Sequence, residues 1–194
     1  GGALLICNHV TFIDGMVISA TLKRPARFLM DRTVYNLPII NFFSRILKVI
    51  PISQEDGPEA LVRALHEARQ ELKSGGIVCI FPEGTLSRTG NMLSFRRGYT
   101  HIIKGLKVPV IPMNLDKMWG DVFSWAGGRF IWKLPRQIPY PVTVSVGKPL
   151  PPEVKTHELR IAVQELWAEA FKLRGLDRKK LHISFIDEAK KHPN

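Results

Sequence analysis

At 194 residues, with 45% hydrophobic and 23% charged side chains, the chain is long enough for one domain with a real core, and its composition excludes a disordered or fibrous class. Its 28 basic residues against 17 acidic ones give a net charge of +11, which predicts attraction to an anionic partner such as nucleic acid, a membrane surface or a phosphorylated substrate. Cys7 and Cys79 are the only cysteines, so a disulfide framework and a CxxC zinc site are excluded and a reducing compartment is the natural reading.

The chain opens directly on an apolar run, Ala3 to Cys7, that reads as a buried strand with no polar lead-in and no basic n-region of a signal peptide. That opening suggests a chain cut from a longer polypeptide. Phe12 to Leu22 is helix-like, and Arg27 to Met30 reads as a second strand after the Pro25 break. Leu37 to Leu47 has helical spacing with Pro38 near its start.

Pro58 to Ser74 is the clearest helix of the first half, with Leu61, Ala64, Leu65, Ala68 and Leu72 on one face and Gly75-Gly76 as its stop. Ile77 to Phe81 follows as an apolar strand. Val108 to Leu115 and Val142 to Val146 supply later strands, and the prolines in Val108-Pro109-Val110-Ile111-Pro112 predict an edge or bent strand there. From Thr156 to Arg174 a second clear helix buries Leu159, Val163, Leu166, Trp167, Ala170 and Phe171. Strand and helix signals alternate, so the expected fold is α/β, with a central, mostly parallel or mixed sheet flanked by helices. Residues 1–175 form the expected domain, and 176–194 a helical tail or linker toward a following domain.

Open α/β sheets place their sites at the C-terminal ends of the strands. His9 and Glu83 both fall just after predicted strands. An alcohol attacks an acyl carbonyl only if a positioned base removes its proton, and an imidazole held by a carboxylate is suited to that task. Asp14 lies five positions after His9. On one continuous helix that spacing is a rotation of about 140°, so the pair converges only if His9 sits in a turn and Asp14 in the first helical turn, with Thr11 as the cap. A capping-box acid beside a loop histidine fits the same spacing. No GxSxG elbow, Walker A loop, HExxH or GxGxxG fingerprint occurs.

Phe81-Pro82-Glu83-Gly84-Thr85-Leu86-Ser87-Arg88 leaves a strand and turns through a glycine, where backbone N–H groups could face an anion. Arg88, Arg96 and Arg97 follow, and a guanidinium fork matches phosphate. A surface turn with solvated arginines is the plainer alternative. Arg32 stands just past the second strand, beside Asp31.

In order, the Asn8-His9-Val10-Thr11-Phe12-Ile13-Asp14 segment, Phe28 to Arg32, Phe81 to Thr85 and Val108 to Pro112 resemble the four blocks of the glycerolipid acyltransferase superfamily, the PlsC-like enzymes. The likeness implies that His9 is a general base with Asp14 as its partner, and that acyl transfer is direct, without a covalent acyl-enzyme. It implies that Arg32, Glu83, Gly84, Thr85 and Arg88 hold the acceptor's glycerol phosphate, and that Pro112 belongs to a structural block near the acyl donor. No metal and no bound cofactor are implied; the co-substrate is a thioester, acyl-ACP or acyl-CoA. Leu86 stands where many members of the family carry arginine, which turns the expectation toward a lysophospholipid with a headgroup and away from lysophosphatidate.

The segments Met118 to Ser124 and Val146 to Pro151, with the tail from Phe185 to Pro193, resemble the acyltransferase part of bifunctional 2-acylglycerophosphoethanolamine acyltransferase/acyl-ACP synthetase proteins. That narrower likeness implies a 2-acylglycerophosphoethanolamine acceptor and fused synthetase and transporter domains. A lysophosphatidate acyltransferase and a non-catalytic lipid-binding domain are the alternatives. A nucleic-acid partner is not expected, since no such module is recognisable.

A long-chain lysolipid resides in a membrane, so an anionic membrane surface and a location at the cytoplasmic face follow as expectations, peripheral or tethered through a parent polypeptide. Leu37 to Ile50, with Arg45 and Lys48, and the aromatic stretch Trp119, Phe123, Trp125, Phe130 and Trp132, with Arg129 and Lys133, are candidate interfacial segments; either also reads as core.

Overall fold

The computed structural model describes residues 1–36, 38–52, 57–128, 140–173 and 190. In chain order the elements are β1 (Ala3–Cys7), α1 (Asp14–Thr21), β2 (Ala26–Asp31), α2 (Arg32–Tyr35), α3 (Pro38–Ile46), β3 (Ile50–Ile52), α4 (Gly57–Lys73), β4 (Ile77–Ile80), α5 (Gly98–Ile103), β5 (Val110–Asp116), β6 (Thr143–Val146) and α6 (Thr156–Leu173). The tail expected over 176–194 falls outside the described residues except at Lys190. So do Leu37, Arg129, Phe130, Trp132 and Lys133.

The strands form one sheet in the order β3-β2-β4-β1-β5-β6. Every pairing is parallel except β5 with β6, as the α/β pattern predicts. Burial on both faces explains why β1 and β4 read as unbroken apolar runs. Leu4, Ile6, Val78 and Ile80 point into one core layer with Ala64, Ala68 and Leu72 of α4 and with Tyr99 and Ile102 of α5. Leu5, Cys7 and Cys79 point the other way, into a layer with Ile18 of α1 and Phe28 of β2.

The register explains a misplaced expectation at β5, which is interior, lying between β1 and β6. Pro112 is harmless there because the ladder pairs Met113 with Val146, the last residue of β6. Pro112 therefore lies just past that ladder, and its carbonyl accepts the Gly147 N–H at 2.8 Å. The three-residue strand β3 and the helix α5 carried no sequence signal.

Two helices bury narrower stripes than their sequences suggested. Leu61 of α4 is exposed, as are Trp167 and Phe171 of α6, while Leu159, Val163, Leu166 and Ala170 are buried. At 3.6 residues per turn Trp167 lies about 80° and Phe171 about 120° around from Leu159, past the line of contact with a flat sheet. Their rings instead meet each other, with centroids 5.9 Å apart.

The topology positions the site. β1 leads to α1 on one face of the sheet, whereas its neighbour β4 leads through residues 81–97 to α5 on the opposite face. Chains leaving adjacent parallel strands toward opposite faces open a crevice at the C-terminal edge. His9 and Glu83 are placed at that crevice.

Candidate active site

Beyond β1 the chain is held to β5 by Asn8. Its buried side chain donates to the Leu115 carbonyl at 3.0 Å and accepts the Leu115 N–H at 2.8 Å. His9 therefore begins a turn fixed to the sheet. That turn wraps around the buried carboxylate of Asp14, which accepts the N–H groups of Val10 and Thr11 at 2.7 and 3.0 Å and the Thr11 hydroxyl at 2.6 Å. His9 Nδ1 lies 2.9 Å from the same carboxylate. All four contacts require Asp14 to accept, so Nδ1 donates and Nε2 remains as the basic nitrogen.

The pair converges because His9 sits in the turn and Asp14 in the first helical turn, the condition that the five-residue spacing sets, but the capping expectation is corrected. α1 begins at Asp14 itself, after Ile13, and has no side-chain cap. Thr11 spends its hydroxyl on Asp14 because the turn must satisfy a carboxylate that has lost all contact with water. Placement in the first helical turn adds favourable interaction with the helix dipole.

A second clamp comes from the segment after β4. Glu83 is buried; one carboxylate oxygen accepts the His9 N–H at 2.8 Å, the other the Leu93 N–H at 2.7 Å. The Ser87 N–H donates to the His9 carbonyl at 3.0 Å. Both backbone groups of His9 are thus fixed by one loop. The Phe81 ring stacks on the imidazole, with centroids 4.2 Å apart and planes 13° apart, and Phe28 stands behind Phe81 at 6.2 Å. The His9 side chain keeps 22% of its surface exposed, so a substrate can reach it.

Burial raises the Glu83 carboxyl above the ordinary glutamate range, and the two amide donors and His9 pull it back. Burial also pushes the Cys7 and Cys79 thiols up, which leaves them unreactive packing groups.

Gly84 turns the chain at φ +67°, but its N–H donates to the Phe81 carbonyl at 3.1 Å and closes the turn, so it does not face an anion. The Arg96 side chain lies against Gly84, with Nε 2.9 Å from where a Cβ would stand. Thr85 and Arg88 are exposed beside it, and Leu86 is buried. Arg32 is exposed at the end of β2, the strand next to β4, so it shares the sheet edge with His9 and Glu83.

Residues 118–128 close one side of the site, a role with no sequence signal beyond their aromatic content. Thr11 and Ser124 form an antiparallel bridge, and the Phe12 N–H donates to the Phe123 carbonyl at 3.4 Å. The Trp119 ring lies against Gly90, and the Arg88 guanidinium sits 5.4 Å from the centre of the Trp125 ring. Among the described residues no group of three His, Cys, Asp or Glu side chains is arranged to hold a metal ion.

An imidazole oriented by a buried carboxylate, at the switch point of a mixed α/β sheet and beside exposed arginines, has the equipment to deprotonate a hydroxyl on an anionic molecule. A family model described as Acyltransferase matches residues 1–116; the chain belongs to that acyltransferase family. It is similar to a 1-acyl-sn-glycerol-3-phosphate acyltransferase of Cocos nucifera, 28% identical over 149 residues, 76% of this chain and 46% of that protein. A Pseudomonas aeruginosa protein of the same name is 31% identical over 125 residues, covering 63% of this chain and 48% of that one. The crystal structure of the 1-acyl-sn-glycerophosphate acyltransferase PlsC from Thermotoga maritima shares the fold, with a TM-score of 0.63 and 24% identity over 90% of this chain and 67% of that one. The chain spans about half the length of these two curated relatives. The narrower likeness to bifunctional 2-acylglycerophosphoethanolamine acyltransferases finds no support in them.

Proposed function

We infer that this domain is an O-acyltransferase that moves a fatty acyl group from a thioester, acyl-ACP or acyl-CoA, to the free hydroxyl of a 1-acylglycerol 3-phosphate. The observation that carries the reading is the Nδ1 contact of His9 with buried Asp14, made at a crevice edged by Arg32 and Arg88. Nε2 of His9 takes the hydroxyl proton as the oxygen attacks the thioester carbonyl. The tetrahedral adduct expels the thiolate, which leaves as a thiol with the proton from the imidazolium. Asp14 holds the tautomer and offsets the charge that develops on the ring. The acceptor identity follows the names of the relatives. Arg32, Thr85 and Arg88 are assigned to the acceptor's glycerol phosphate; Gly84, whose N–H is spent on the Phe81 carbonyl, is read as shaping the loop, and Glu83, with both oxygens on backbone N–H groups, as positioning His9.

A second reading, a phosphodiester acceptor such as 2-acylglycerophosphoethanolamine, is favoured by one observation. Position 86 is a buried leucine, so it supplies no cation, and a diester needs fewer cationic partners than a monoester.

A membrane surface is the proposed source of the acceptor, met from the cytoplasmic side. Phe42 and Ile46, one turn apart on α3, are 63% and 62% exposed, with exposed Arg45 and Lys48 beside them. Among the described residues no helix is long and apolar enough to cross a membrane.

The test incubates the purified chain with acyl-ACP or acyl-CoA and with 1-acylglycerol 3-phosphate, 2-acylglycerophosphoethanolamine or glycerol 3-phosphate. Diacylglycerol phosphate as the main product is expected. Preference for the ethanolamine acceptor selects the second reading. Acceptor binding without transfer from either donor overturns both and leaves a lipid-binding domain.

A further inference from the structure

Arg88 is exposed on a loop, and a long side chain in that setting has many rotamers to lose before it can hold a phosphate. Two contacts limit that freedom. The guanidinium lies over the Trp125 ring at 5.4 Å, within the range of cation–π attraction. The loop that carries Arg88 is seated on a second indole: a Cβ at Gly90 would come within 2.7 to 2.8 Å of Trp119 ring atoms, so the backbone there packs directly on the ring.

The segment that carries both indoles is itself tied to the catalytic turn. Ser124, next to Trp125, bridges to Thr11, and the Thr11 hydroxyl is bonded to Asp14. The Ser124 hydroxyl accepts the Gly120 N–H at 3.1 Å and donates to the Asp121 carbonyl at 3.0 Å, while Asp121 Oδ1 accepts the Phe123 N–H at 2.9 Å. This closed turn gives Trp125 a fixed position relative to His9. An acceptor whose phosphate is held by Arg88 must present its hydroxyl at a set distance from that phosphate.

We propose that Trp125 is a positioning residue that presents Arg88 to the phosphate of the acceptor and so sets the spacing between phosphate and attacking hydroxyl. The proposal rests on the reading of Arg88 as a phosphate-binding group. It differs from a packing role in one respect: the effect of Trp125 must run through Arg88.

The test is a double-mutant cycle read by calorimetric binding of sn-glycerol 3-phosphate to the whole chain. Trp125→Leu keeps apolar bulk but removes the π face, and is expected to weaken binding about three- to thirtyfold. Trp125→Phe retains a π face and is expected to keep most of the affinity. In an Arg88→Ala background, Trp125→Leu is expected to change binding little further. In turnover assays the same substitution raises KM for the lysolipid and leaves KM for the thioester unchanged. Wild-type affinity in Trp125→Leu, an equal loss with and without Arg88, or no binding of sn-glycerol 3-phosphate by the wild-type chain overturns the proposal. If the wild-type chain transfers no acyl group, the proposed function fails, and the binding cycle still decides the role of Trp125.

Discussion

The carboxylate of Glu83 accepts the backbone N–H of His9 at 2.8 Å across 74 positions of sequence. With its other oxygen on the Leu93 N–H, it has no oxygen without a backbone partner. Glutamine at this position offers one acceptor and one donor, so an amide N–H would meet an NH₂ group. Loss of a charge-assisted bond of about 1.5–3 kcal/mol predicts that Glu83→Gln lowers kcat roughly ten- to a hundredfold. KM for the acceptor should move less than about threefold, because the acceptor does not touch this group. Steady-state kinetics separate the two, and a large rise in acceptor KM with kcat retained would place Glu83 on the substrate instead.

The same residue predicts a pH effect on stability. Burial raises the Glu83 carboxyl above the ordinary glutamate range, so the native state binds a proton that the unfolded chain has already released. Its stabilising contribution is present below the unfolded value and is lost as pH rises through the folded one. Urea unfolding of wild type and Glu83→Gln at stepped pH should show the difference, wild type minus variant, falling across that window. A difference that grows with rising pH would contradict the assignment.

Asp14 receives three hydrogen bonds from its own turn besides the one from His9. Asp14→Asn cannot accept all four, and an amide beside Nδ1 favours the wrong tautomer. By analogy with a His–Asp pair in acyl transfer, kcat should fall about 10³–10⁴-fold. Leaving a donor of this buried turn without its acceptor should also cost about 1–3 kcal/mol of stability, readable by denaturant titration. Near-normal turnover in a folded Asp14→Asn protein would show that the turn, and not the tautomer, is what Asp14 maintains.

Some of this was legible in sequence, for identifiable reasons. β1 and β4 are unbroken apolar runs bounded by glycines or polar residues, and α4 and α6 are periodic over several helical turns, so pattern alone locates them. The His9 and Asp14 contact is local, five positions apart, and a strand end followed by a helix leaves few ways to fold between them. Glu83 is different: its partners at His9 and Leu93 depend on β4 lying beside β1, an adjacency that no local spacing encodes. The exposure of Trp167 likewise depends on how wide a stripe a flat sheet can cover. The wall formed by Trp119 and Trp125 exists only because residues 118–128 return to Thr11 and Gly90. A three-residue strand such as Ile50 to Ile52 carries too few positions to show a period at all.

Two glycines of the loop after β4 adopt positive φ, Gly84 at +67° and Gly90 at +81°, yet their surroundings differ. A Cβ at Gly84 meets the flexible Arg96 side chain at 2.9 Å, whereas one at Gly90 meets the Trp119 ring at 2.7 Å. Gly84→Ala should cost about 1–2 kcal/mol for its backbone conformation alone. Gly90→Ala should cost at least about 1 kcal/mol more, since a packed indole has to move. Thermal unfolding of the two variants ranks them, and an equal or smaller loss at Gly90 would contradict the placement of Trp119.

The central claim is that His9 removes the acceptor's proton, and the most direct measurement is acyl transfer by His9→Ala with an acceptor and thioester that the wild type uses. In that variant Glu83 and Ser87 still hold the backbone of residue 9, while the base is lost together with its bond to Asp14 and its stack on Phe81. The account predicts that transfer is abolished while acceptor binding is retained and the protein still unfolds in one cooperative transition. Turnover near the wild-type rate in a folded His9→Ala protein would contradict it.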